Sequence, residues 1–154
     1  VLLQNVTAAS IFFLIFKINL MYDINLTKST EYYNTYIFKT KNKNNQTLEL
    51  LIFISDFSEF NLNNTYCVTF KINTKRKHGY QLLKQTGKDG IKSLLWAKNC
   101  IEYFINNKLH NGDKIVIYAD DSKRFKVYIR GLKSLKFDVA NVGGNKVLIY
   151  KHIS

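Results

Sequence analysis

Ile115, Val116, Ile117 and Tyr118 stand side by side, so a strand built from them points apolar side chains to both faces. Such a strand belongs inside a sheet that is covered on both sides. Just upstream, Ile91, Leu94, Ala97, Ile101, Phe104 and Ile105 recur at helical spacing, and Trp96, Cys100 and Tyr103 widen the same arc. This pattern predicts a long, mostly buried helix that ends at Asn111-Gly112-Asp113. A buried helix followed at once by a buried strand commits this part of the chain to helix-on-sheet packing.

The unit continues with a second helix. Asp120-Asp121-Ser122 supplies an N-cap, with acidic character at the positive end of that helix. Phe125, Tyr128, Ile129, Leu132 and Leu135 fall on one side of it, and Lys123, Lys126, Arg130 and Lys133 on another. Residues 137–142 and 146–152 read as strands joined by Gly143-Gly144-Asn145, a strong hairpin signal. Upstream, residues 32–40 and 48–55 read as strands, with a turn at 41–45 between them and a loop over 56–64. Tyr66, Val68, Phe70 and Ile72 alternate along a half-buried strand, and residues 80–84 suggest a short one. Residues 22–31 are polar and turn-like.

The expected fold class is therefore α/β (α+β), with a central mixed, mostly antiparallel sheet flanked by helices. Residues 21–154 are expected to form a single domain. At 154 residues and 46% apolar, the chain can bury a core without staples. Residues 1–20 are expected to be an apolar appendage or a core element. The apolar run at 11–16 is too short to span a bilayer, and residues 1–6 lack the basic side chains of a signal peptide, which disfavours a membrane anchor. Cys67 and Cys100 fit no metal or redox spacing and sit among apolar residues, as buried free thiols do in a reducing, cytoplasmic setting. His78, His110 and His152 lie far apart without ligand partners at metal spacing.

The net charge is +12. Such a field attracts polyanions, whether nucleic acid or phosphorylated cofactors. The heavy use of Asn, Lys and Ile also follows from AT-rich coding, as in a phage or an organelle, and that accounts for part of the charge without any function.

Gly87, Lys88, Asp89, Gly90, Ile91 and Lys92 lie between a candidate strand and the long helix. Glycines at a helix start let the backbone approach a ligand, and the free amides of the first turn point at an anion such as a pyrophosphate. A tight turn explains the glycines as well. A nucleotide P-loop is disfavoured, because no Gly-Lys-Ser/Thr follows a four-residue spacer.

The order strand, Gly-rich loop, long helix, strand, Asp-initiated helix, strand, strand resembles the C-terminal half of the GCN5-related N-acetyltransferase (acyl-CoA N-acyltransferase) superfamily. In that family a helix start after the fourth strand binds the pyrophosphate of acetyl-CoA, with the signature Arg/Gln-x-x-Gly-x-Gly/Ala. Gly87, Gly90 and Lys92 take its three places, and Gly90 alone matches. The family's penultimate helix often reads Asn-x-x-Ala-x-x-x-Tyr. Here Asp121, Arg124 and Tyr128 take those places at the same spacing. The resemblance spans about residue 87 to residue 153. It implies an acyl-CoA N-acyltransferase-like fold and acetyl-CoA as cofactor. The Gly87–Lys92 loop, Asp121 and Arg124 would be at the cofactor, and Tyr128 would protonate the departing CoA thiolate. The amine acceptor is unknown. Glu49, Glu59 and His78 are candidate bases that no spacing singles out, and the family's two helices between its first strands have no room between Thr40 and Leu48.

The alternative is a non-catalytic, basic nucleic-acid-binding or structural component of a viral, ribosomal or organellar assembly. Lys75, Arg76 and Lys77, with the stripe Lys123, Lys126, Arg130 and Lys133, would then contact phosphates.

Overall fold

The computed structural model describes residues 22–30, 35–60, 62–73, 91–119 and 121–154. Seven strands make one sheet: β1 (Leu26–Thr30), β2 (Thr35–Lys41), β3 (Thr47–Phe57), β4 (Leu62–Asn73), β5 (Lys114–Ile117), β6 (Asp138–Val142) and β7 (Asn145–Lys151). The strand order is β1-β2-β3-β4-β5-β7-β6. Every neighbouring pair is antiparallel except β4 and β5. Helix α1 (Lys92–Asn107) connects β4 to β5, and helix α2 (Ser122–Leu132) connects β5 to β6. The fold is thus mixed α+β, a large and mostly antiparallel sheet with two helices among the described residues.

Alternation along the strands sorts the sheet into two faces. Leu48, Leu50 and Ile52 of β3, Tyr66 of β4, Ile115 and Ile117 of β5, and Leu148 of β7 join the main core. The α1 residues Trp96, Ala97, Cys100, Ile101, Phe104 and Ile105 join it, with Leu132 of α2. Both described helices therefore cover the same face. On the other face Phe57, Val116, Val142, Val147 and Ile149 form a smaller cluster. Ile115, Val116 and Ile117 are all buried, as expected for a strand covered on both sides.

Phe104 anchors α1. Its ring meets Tyr36 of β2 edge-on at 5.0 Å and Tyr66 of β4 at 5.1 Å, so one side chain reaches across β3. Towards the helix start, Trp96 packs on Phe70 at 6.1 Å and donates its indole N–H to the Asp23 carbonyl at 2.9 Å. At the far end, β6 and β7 turn through Gly143-Gly144, both at positive φ, as a two-residue hairpin requires.

Several expectations are corrected. The polar stretch 22–31 contains a strand, because β1 pairs through its backbone with β2 from Leu26↔Phe38 to Thr30↔Thr35 and needs little apolar content at the sheet edge. The loop expected over 56–64 is shorter: a single turn, Ser58–Phe60, lets β4 start at Leu62. Ile91 lies before the helix, at its cap position, and is 65% exposed, so it stands outside the buried arc that its spacing suggests. Trp96 and Cys100, expected at the margin of the helix's apolar arc, are among its most buried residues. Residues 1–20, the basic turn at 75–78 and the short strand at 80–84 lie outside the described residues.

Replacing Phe104 with Ala should cost about 3–5 kcal/mol of unfolding free energy in a urea titration, whereas Val127→Ala, at an exposed position, should stay within about 0.5 kcal/mol. A loss below about 1 kcal/mol for the Phe104 variant would mean that the ring does not hold the helix.

Candidate functional site

The parallel seam is the irregular part of the sheet. β4 and β5 pair through three register positions only: Thr65↔Lys114, Tyr66↔Ile115 and Cys67↔Val116. β5 ends at Ile117, but β4 runs on to Asn73. Beyond Cys67 no described strand pairs with β4 on that side, although its other side stays paired with β3 as far as Asn73. Among the described residues this length of β4 edge has no strand partner, and a strand edge of that kind is one that an extended guest can pair with. Val68, Phe70 and Ile72 beneath it are half-buried against the main core.

Both helices begin at this end of the seam. α1 runs back from the C-terminal end of β4 to the start of β5, and α2 starts four residues after β5 ends. The ends of parallel strands at such a crossover are where sheets of this kind collect ligands. The two helix starts differ. α2 is capped: the Asp121 carboxylate accepts a 2.8 Å hydrogen bond from the Arg124 backbone N–H, and its second oxygen lies 3.5 Å from the Arg124 Nε. α1 has Ile91 at its cap position, which cannot accept a hydrogen bond through its side chain, and no acid in its first turn. Lys92 opens that helix, where the macrodipole disfavours a cation.

Of the residues that the sequence singles out, Ile91 and Lys92 stand at the start of α1, and Asp121 and Arg124 at the start of α2. Tyr128 lies further down α2, half-buried on its core side and engaged with a neighbour. Gly87, Lys88, Asp89 and Gly90, and also Lys75, Arg76, Lys77 and His78, lie outside the described residues. Lys123, Lys126, Arg130 and Lys133 are all exposed on α2. Of the candidate bases, Glu49 is tied to Lys39 at 3.0 Å and Glu59 is exposed. The open edge of β4 escapes sequence reasoning altogether. Its one signal is the contrast between a long strand 4 and the four residues of strand 5.

Other reactive groups sit in structural roles. Burial, with Tyr36 and Asp113 nearby, pushes the Tyr66 phenol up to about 12, so it stays protonated in the core. Burial also raises the Cys67 and Cys100 thiols, and both cysteines are free. Asp113 is buried, and its carboxylate accepts the His110 backbone N–H at 2.8 Å, which locks the turn into β5. A shallow hollow of about 580 Å³, lined by residues 54–57 and 62–64, lies at the opposite end of β4. Among the described residues no three His, Cys, Asp or Glu side chains converge as metal ligands, and no helix is long and apolar enough to cross a membrane.

No family model, no curated protein and no solved structure matches the chain.

Asp121→Ala should lower stability by about 1 kcal/mol through loss of the cap, while Asp121→Asn, which keeps the acceptor oxygen, should lose only a few tenths. Equal losses in the two variants, compared in chemical denaturation, would mean that the cap hydrogen bond is not what Asp121 supplies.

Proposed function

We propose that the chain binds a coenzyme A ester at the end of the β4–β5 seam and transfers its acyl group to an amine. The observation that carries this is the open edge of β4 beside an uncapped helix start. Coenzyme A has an extended arm with two amide groups and a pyrophosphate. The β4 edge offers a row of backbone donors and acceptors to the amides. The first turn of α1, which has no side-chain cap from Ile91, would turn its N–H groups to the pyrophosphate, and a bound anion would offset the unfavourable position of Lys92. Asp121 already satisfies the α2 start, so the phosphates belong at α1 and Arg124 adds a cation at the same end.

The described order strand, α1, strand, Asp-capped α2, strand, strand accords with the superfamily that the C-terminal half resembles. In the reaction, the amine nitrogen attacks the thioester carbonyl, the C–N bond forms and the C–S bond breaks. Sulfur leaves with the electron pair and takes a proton. In this reading Tyr128, at the tyrosine place of the resemblance, is the phenol that serves the sulfur. A phenol is a weaker acid than a thiol, so its contribution is a hydrogen bond that strengthens as charge builds on sulfur. The acceptor amine loses its proton to a base not identified among the described residues.

Acetyl-CoA at a hundred times its Kd should stabilise the protein by about 2.7 kcal/mol, visible as a rise in Tm. Lys92→Glu should abolish most of that rise. Tyr128→Phe should keep it and, against a panel of small amines, lower kcat about 100-fold. No rise in Tm at millimolar acetyl-CoA would end the proposal.

A further inference from the structure

The outward face of α2 carries a second feature that an acyl-transfer site does not need. Phe125, Tyr128, Ile129 and Leu132 turn to the core, and Lys123, Lys126, Arg130 and Lys133 are exposed along the other side. Their spacing of three, four and three residues keeps them on one face over ten residues, about 15 Å of helix. Among the described residues no carboxylate pairs with any of the four. Asp121, the acid at the start of α2, is committed to the cap and to Arg124.

AT-rich coding raises lysine everywhere, but it does not gather cations in one place. Residues 121–136 hold six of the chain's 23 cations and one of its 11 acids. Like charges three and four residues apart repel, and Lys123 also opposes the helix dipole. A stripe that works against its own helix is made favourable by an external anion.

We infer that this face of α2 binds the phosphate backbone of nucleic acid without regard to sequence. The helix's apolar side is buried against the sheet, so α2 has no apolar face to insert into a lipid surface. Val127 is the one exposed large apolar residue on the helix, too little to anchor a protein partner, whereas backbone binding needs cations alone. Four cations spread over about 15 Å can neutralise up to four phosphates of a duplex, which carries one charge per about 1.7 Å of its axis. None of the four residues is one that the coenzyme A reading uses, although Lys123 adjoins Arg124.

The test is fluorescence anisotropy with a labelled duplex of arbitrary sequence, about 30 base pairs long, titrated across a range of KCl concentrations. The wild-type plot of log K against log salt should fall with a slope of about −3.6, the value for four neutralised phosphates. The variant Lys123→Gln, Lys126→Gln, Arg130→Gln, Lys133→Gln should bind at least tenfold more weakly and lose most of that slope, up to about 3.6, with helical circular dichroism and Tm retained. If the fourfold variant does not fold, Arg130→Gln and Lys133→Gln singly should each remove about 1. Unchanged affinity and slope in the variants would overturn the inference. So would wild-type protein that binds phosphatidylserine vesicles and no duplex, which would assign the stripe to an anionic membrane surface.

Discussion

The seating of α1 on the sheet through Phe104 is the contact on which the rest of the molecule depends. Two parallel strands cannot be joined by a tight turn, so β5 reaches its place beside β4 only by way of a crossover element. α1 is that element. Phe104 fixes it over β2, β3 and β4 by its edge-on contacts with Tyr36 and Tyr66, and Trp96 fixes it nearer its start against Phe70 and the Asp23 carbonyl. Because both ends are held, the direction of the helix is set, and so is the position of its first turn beside the edge of β4.

The two helix starts show how a small difference in capping divides the surface. At α2, Asp121 satisfies a backbone N–H and balances Arg124, which leaves the cations further along the helix without an internal counter-charge. At α1, Ile91 supplies no side-chain cap and Lys92 puts a cation at the positive end of the helix. The two helices thus present separate demands for negative charge, one at a helix end and one along a helix flank. Much of the net charge of +12 can be understood through these two places.

The local patterns in the sequence account for a good part of this architecture. The consecutive Ile115-Val116-Ile117, the helical recurrence up to Ile105, the Asp121 cap and the Gly143-Gly144 turn all act over a few residues, and each appears in the structure where its pattern puts it. The failures share a cause. β1 is polar, and what makes it a strand is pairing with β2, which no property of residues 26–30 announces. Ile91 continues the helical period, yet periodicity does not say at which residue a helix begins. The open edge of β4 depends on how many residues of a distant strand pair with it. That is a matter of register between residues nearly fifty positions apart, and single-residue chemistry has no access to it.

The brevity of the β4–β5 seam also bears on the order in which the molecule is put together. β1 to β4 are joined by short turns, whereas the seam closes a loop of roughly fifty residues. Loop entropy makes that closure about 2 kcal/mol more costly than a turn of about five residues. Three register pairs are little to set against it, so the seam holds only when α1 has already docked on the far side of β4. The four-stranded meander is the platform, and β5, β6 and β7 are assembled onto it as an addition. The line where the two parts meet can therefore open without unravelling a hairpin, and it would leave the β1–β4 meander whole.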